Sequence, residues 1–358
     1  MAGAPPVGEP APSSGELPSA SLERLSSEPF SFYLHVPYCA TRCGYCDFNT
    51  YTALELGDSV SRATWADSAI AEVDLARRVL GDAIPPVRSI FVGGGTPTLL
   101  PAADLLNVVH HIRGTVGFSE DVEITTEANP DSVTPESLEA LRNGGFNRIS
   151  FGLQSTAESV LASLERTHRP GRAIEAVREA QAAGFENINV DLIFGTPGET
   201  EADLQRTLDD VLALGVQHVS AYALIVEEGT RLARRISRGE TPAPDDDVQA
   251  DRYELVDRVL SAAGLEWYEI SNWSIPGFEC RHNLAYWEGD NWWGVGPGAH
   301  SHVGGTRWWN ERHPATWTRA LAEGNSPAQA RERVSLEDRV IERVMLQTRI
   351  KRGLSVWE

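Results

Sequence analysis

The chain is 358 residues long and carries 31 Lys and Arg against 51 Asp and Glu, a formal net charge of −20. That length holds two or three ordinary domains, or one α/β barrel with an appendage, so core size is not limiting. The acidic balance excludes the usual nucleic-acid binder, because neutralising a phosphate backbone needs a concentrated basic surface. The best basic run, Arg231, Arg234, Arg235 and Arg238, is expected on a surface helix. Four cysteines in so long a chain make no secreted disulfide framework, and three of them fall within eight residues, so a reducing, cytoplasmic setting is expected. No charged segment followed by an apolar one opens the chain, and no run approaches the ~18 apolar residues that span a bilayer. A peripheral membrane contact is compatible with that composition.

Residues 1–28 are rich in Pro, Ala, Ser and Gly with almost no aliphatic periodicity, and are expected to be a disordered tail. Over 29–230, β-branched and aromatic runs alternate with stretches of helical periodicity. Strands are predicted at 31–37, 89–95, 123–130, 148–155, 187–195 and 218–226, and helices at 61–80, 101–113, 135–143, 171–183 and 200–214. Thr134-Pro135, and Thr200 followed by Asp203, are helix-start signals. Six βα units predict a parallel barrel or partial barrel, in which ligand chemistry gathers at the carboxyl ends of the strands. Cys39, Gly93 to Pro97, Glu127, Gln154 and Asp191 fall on that rim. Over 231–335 the pattern changes to a polar linker, a helix near 247–263 and a segment from Trp267 to Trp317 that holds eight of the ten tryptophans and four of the nine histidines. That segment is expected to be a distinct extension.

In CATRCGYC the thiols of Cys39, Cys43 and Cys46 are spaced C-x3-C-x2-C. Three thiolates from one loop can hold a cubane cluster and leave one iron without a protein ligand. Such an iron can take the amino and carboxylate groups of S-adenosylmethionine (SAM), whose sulfonium an electron from the reduced cluster then cleaves to a 5′-deoxyadenosyl radical. The competing reading is structural zinc with His35 as fourth ligand, although zinc sites usually show a second ligand pair farther on, and none is present. Cys280, far from the others, reads as an ordinary core or surface thiol. Gly93, Gly94 and Gly95 let backbone amides approach a ligand, or simply make a strand-to-helix turn. Glu127, Gln154, Arg166 and Asp191 offer hydrogen bonds to amine, hydroxyl and carboxylate groups; each alone reads equally as a structural polar residue. Tyr33 and Tyr45 flank the loop, as ligand contacts or as packing residues.

The run YLHVPYCATRCGYCDFNTY resembles the cluster loop of the radical SAM superfamily, in the branch that contains oxygen-independent coproporphyrinogen III oxidase and the HemW-type haem chaperones. The resemblance continues through GGGTPT (93–98), TEANP, ISFGLQS (149–155), LERTH (164–168), DLIFGTPGET (191–200), YEISNW (268–273), HNLAYW (282–287) and GVGPGAHS (294–301), in the family's order over about residues 31 to 350. It implies an α/β fold: a partial (β/α)6 radical SAM barrel, a C-terminal α/β extension and, over 336–358, the start of a small helical domain cut short. It further implies a [4Fe-4S] cluster on Cys39, Cys43 and Cys46, and a SAM site that comprises Tyr33, Tyr45, Gly94, Gly95, Thr96, Glu127, Gln154, Arg166 and Asp191. The glycine motif would meet the SAM amino group. His282 of HNLAYW belongs by the same resemblance to a haem site, with His300 and His302 as further candidates; a hydrogen-bonded structural role for His282 is the competing reading.

Two departures separate the branches. The oxidase carries a further cysteine two positions beyond the third, where this chain has Phe48, and it has a longer ordered segment ahead of the loop. Both favour a haem chaperone that binds [4Fe-4S], SAM and haem and delivers haem to acceptor haemoproteins such as respiratory enzymes, served by a separate reductant protein. Oxidative decarboxylation of coproporphyrinogen III is the alternative, and whether radical catalysis accompanies haem transfer is left open by the residues.

Overall fold

The structure is a computed structural model that describes residues 8–57 and 62–355. All six predicted strands form: β1 (Phe30–Val36), β2 (Val87–Gly94), β3 (Phe118–Ala128), β4 (Arg148–Gln154), β5 (Asn187–Phe194) and β6 (His218–Ala223). The helices between them also form, at Trp65–Leu80, Ala102–Thr115, Pro135–Asn143, Arg172–Ala182 and Glu201–Leu212. Two start where the sequence signals them. The Ser137 amide donates to Thr134 Oγ1 (3.2 Å) and the Thr134 amide to Ser137 Oγ (2.9 Å); Asp203 and Thr200 make the same reciprocal pair (3.2 and 3.1 Å).

The chain divides into two compact units. One comprises Ala40–Phe48 and Glu127–Glu279; the other takes the chain up to Cys39, Asn49–Thr126, and the part from Cys280 on. In the first unit β4, β5 and β6 pair in parallel. The hairpin Glu266–Glu269 and Asn272–Ser274 adds to β6 antiparallel, with Asn272 opposite Ser220. In the second unit β1, β2 and β3 pair in parallel, with Ile90 opposite Phe32 and Ile124. Phe30, Phe32, Leu34 and Val36 share one face of β1 and are fully buried, and Ser31 and His35 on the other face are buried too, as in a parallel strand covered on both faces.

Two expectations change. The stretch 231–335 does not form one region: residues up to Glu279 belong to the first unit, whereas Asn291–Val295 pairs in parallel with β1 in the second. From there the sheet turns antiparallel through His300–Val303, Thr306–Asn310 and Ala328–Arg333. Nor is the predicted tail disordered from residue 8 on. Glu9–Pro10 pairs with Arg331 and Ala330, Arg331 Nε meets Glu9 at 2.9 Å, and Leu17 and Leu25 are buried. Compositional rules test whether a segment can build its own core, and these two leucines instead use one built by the rest of the chain. Residues 1–7 of that tail lie outside the described residues.

Candidate cluster and cofactor site

In the second unit Tyr33 lies midway along β1, and Gly94 and Gly95 stand at the carboxyl end of β2. The His35 ring is buried, and its Nε2 donates to the Asn49 carbonyl (2.9 Å), so Nδ1 accepts from the Tyr33 hydroxyl (3.0 Å). Burial lowers the His35 pKa to about 4, against the opposing bond to Asn49, so the ring is neutral. Its lone pair is committed to Tyr33, which argues against His35 as a zinc ligand. The amides of Gly95 and Thr96 do not reach toward a ligand as the glycine run suggested; they donate to Val36 O (2.8 Å) and Tyr38 O (2.7 Å). A SAM amino group, itself a donor, needs carbonyl oxygens there rather than amides.

The glycines are sterically required. Gly94 has φ +113°, and a Cβ there would lie 2.5 Å from His35 Cε1; at Gly95 it would lie 2.5 Å from the Tyr38 carbonyl oxygen and 3.0 Å from Cys39 Sγ. Gly95→Ala therefore cannot be absorbed by a side-chain rotation, and is expected to cost about 1–3 kcal/mol and to lower iron retention by displacing Cys39. Thermal unfolding and iron content check this; a variant with wild-type values for both refutes it.

In the first unit the loop Ala40–Phe48 is clamped through buried Gly44, whose amide donates to Leu164 O (3.2 Å) and whose carbonyl accepts from the Leu232 amide (2.8 Å). Arg166 donates to Cys43 Sγ (3.4 Å) and to Gly152 O (2.7 Å). Burial pulls the Arg166 pKa down, but the Tyr45 and Cys43 charges outweigh it, and the net shift is upward: the guanidinium stays charged beside the thiol. Tyr45 is pushed well up, by burial first and then by the Cys43 charge. Gln154 stands at φ +66°, a strained setting for a non-glycine residue. Its Oε1, Arg166 Nε and His168 Nδ1 are buried without a hydrogen-bond partner. Orphaned polar atoms clustered on strained backbone mark a place where a polar ligand completes the bonding.

Asp191 is half-buried and accepts from Asn189 Nδ2 (2.7 Å) and Ser150 Oγ (3.0 Å); loss of water around it raises its pKa while those bonds oppose the rise. Asn189 Oδ1 in turn accepts from His218 Nδ1 (2.6 Å), and His218 Nε2 accepts from the Tyr268 hydroxyl (2.7 Å). Sequence reasoning missed Asn189, His218 and Tyr268. The available signal was spacing: Asn189 is two residues before Asp191 on one strand, and so on the same face. Glu127 ends β3, and its charge acts on Tyr222.

The predicted residues thus gather in two sets, Tyr45, Cys43, Gln154, Arg166 and Asp191 in one unit, and Tyr33, Cys39, Gly94, Gly95 and Thr96 in the other. Among the described residues no group of three His, Cys, Asp or Glu is arranged around a metal ion. The donor set nevertheless fits an iron–sulfur cluster with SAM: half-buried thiols free of disulfides, a cation beside one of them, unpaired polar atoms and a side-chain-free approach at Gly95. Cys280 is a core thiol, fully buried against Glu123.

His282, expected at a haem site, is 1% exposed. Its Nδ1 bonds to Ser89 Oγ (2.9 Å), which itself donates to Ser31, so Nδ1 is the protonated nitrogen and Nε2 accepts from the Tyr286 hydroxyl (3.0 Å). The ring stacks on Phe91 at 5.2 Å. Here His282 is a hydrogen-bonded core residue, the competing reading of the sequence. His302 is similarly engaged, with Nδ1 on Asp290 O (3.0 Å) and Nε2 accepting the Gly305 amide (3.2 Å).

Parallel βα units and a thiol loop at their carboxyl ends define a radical SAM protein, and the Radical SAM superfamily model matches residues 33–211, half of the chain. The heme chaperone HemW of Mycobacterium tuberculosis is 52% identical over 339 residues, covering 95% of this chain and 86% of that protein. HemW of Escherichia coli is 34% identical and covers 77% and 70%. The solved structure of coproporphyrinogen III oxidase (HemN) from Escherichia coli superposes with a TM-score of 0.80 over 92% of this chain and 77% of that one; at 22% identity it shows the shared fold. The chain belongs to the HemW family of the radical SAM superfamily.

Proposed function

We propose that this protein is a haem chaperone of the cytoplasm, which binds haem and hands it to acceptor haemoproteins such as respiratory enzymes. The observation that carries this reading is the 52% identity to a heme chaperone HemW over 95% of the chain. Phe48 supports it, standing 58% exposed where the oxidase branch carries a further cysteine. Among the described residues no helix is long and apolar enough to cross a membrane, and the four cysteines are free, as a reducing compartment requires.

Cys39, Cys43 and Cys46 would hold a [4Fe-4S] cluster, which supplies an open iron and single electrons when bound. Arg166 keeps a positive charge beside the Cys43 sulfur and the Gly152 carbonyl. Asp191, anchored by Asn189 and Ser150, would accept ribose hydroxyls, and Gln154 and Arg166 would use their unpaired atoms on the polar end of SAM. Glu127, Tyr33, Tyr45 and Thr96 complete that assignment, with Tyr33 fixed in direction by His35.

The reading is tested by titrating the anaerobically reconstituted full chain with ferric haem and, separately, with coproporphyrinogen III and SAM. Stable haem uptake without porphyrinogen conversion is expected. Conversion without haem retention would replace the chaperone by the oxidase.

A further inference from the structure

We infer that the iron of bound haem is ligated by His300, the first residue of the strand that follows GVGPGA, and not by His282; this rests on the chaperone reading and adds its ligand. Axial ligation needs an imidazole with an available lone pair and room for a flat macrocycle over it. His282 offers neither, with both nitrogens bonded and the ring enclosed, and His302 has both nitrogens bonded as well. The His300 ring is exposed and lies in stacked orientation against Trp309, centroids 5.9 Å apart and planes 26° apart. Loss of water around it, and then the charge of Arg312, hold its pKa below the usual histidine value.

The topology puts this ring on the functional rim. Asn291–Val295 runs parallel to β1, with Val295 opposite Leu34, and so it ends at the same edge as β1, whose carboxyl end leads to Cys39. The turn that presents His300 is rigid. Glu72 accepts the Gly296 amide (2.8 Å), Asn310 Nδ2 donates to the Gly296 carbonyl (2.9 Å), and Asn49 Nδ2 donates to the Pro297 carbonyl (3.0 Å). A rigid support is what an axial ligand needs, since a floppy imidazole pays its ordering entropy on binding. Charge also fits the ligand. The Arg312 and Arg307 charges both reach His300. Arg307 is already engaged by Glu332 and Glu342, at 2.8 Å each. Arg312, the strongest charge acting on the ring, would meet a haem propionate there, and its backbone is pinned by Asn49 and Tyr51, which both donate to its carbonyl (2.9 and 3.2 Å).

The experiment is a ferric haem titration of the full chain, followed by absorption and electron paramagnetic resonance, on wild type, His300→Ala, His282→Ala and Arg312→Gln. His300→Ala is expected to lose at least about tenfold in affinity and to change the ligation spectrum, with partial return on adding free imidazole. His282→Ala, if folded, should keep the wild-type ligation spectrum, and Arg312→Gln should weaken binding without altering it. Wild-type affinity and spectrum in His300→Ala would overturn the assignment, as would loss of the ligation spectrum in a His282→Ala protein with unchanged circular dichroism. Absence of haem binding by the wild type would instead remove the chaperone reading itself.

Discussion

Cys43→Ala, reconstituted anaerobically with iron and sulfide, is expected to carry at least roughly tenfold less iron than wild type and to lose the brown thiolate-to-iron absorption, since disturbing even an outer partner of a metal site costs about 10–100-fold in affinity. Arg166→Met is the informative companion. It keeps all three cysteines and removes the cation 3.4 Å from Cys43 Sγ together with the donor to Gly152 O. Iron should then be retained, while SAM binding, measured by calorimetry, weakens. Equal loss of iron in both variants would show that Arg166 holds the loop and not the ligand; full iron in Cys43→Ala would remove the cluster assignment.

Stability is expected to fall as pH rises from about 4.5 to about 7, on account of one carboxyl group. Glu72 is completely buried and accepts from the Gly296 amide (2.8 Å), Trp317 Nε1 (2.7 Å) and Asn310 Nδ2 (2.6 Å). Burial raises its pKa from 4.5 to about 7, with the hydrogen bonds opposing. The folded state thus binds the proton more tightly than the unfolded chain. The resulting stabilisation is complete below the unfolded value and is lost as pH climbs through the folded one, a span worth about 3 kcal/mol. Glu72→Gln does not titrate, and turning its amide toward a donor such as Asn310 costs about 1–3 kcal/mol. Urea unfolding followed by tryptophan fluorescence at pH 5 and pH 8 should therefore show a gap between wild type and variant that narrows at the higher pH. Parallel pH dependence in the two proteins would acquit Glu72. The same carboxylate holds the Gly296 turn, so the variant should also loosen the approach to His300.

Much of the site was legible because its signals are local. The spacing of Cys39, Cys43 and Cys46, the glycines at 93–95 and the carboxylates Glu127 and Asp191 all read from short windows; the structure places the glycines and Glu127 at strand ends and the thiols in the segment after β1, while Asp191 lies inside β5, which runs on to Phe194. His282 shows the opposite case. Its motif was visible, but the partners that occupy it, Ser89 and Tyr286, include one 193 residues away. Asn189 was passed over since its importance comes from His218, 29 residues on, and Tyr268 beyond that. The leucines of the N-terminal segment were read as unable to fold for the same reason, their core being supplied from elsewhere.

The sequence by itself determined the parallel βα alternation, the cluster thiols and the family, because strand period, helix caps and ligand spacing are set by residues a few positions apart. Only the tertiary structure decided which imidazole is accessible, that the glycine amides at 95 and 96 are already bonded, and that Asn291–Val295 extends β1 in parallel. Those are matters of burial and of non-local hydrogen-bond pairing, where a donor's partner is fixed by the packed fold and carries no mark in its own neighbourhood.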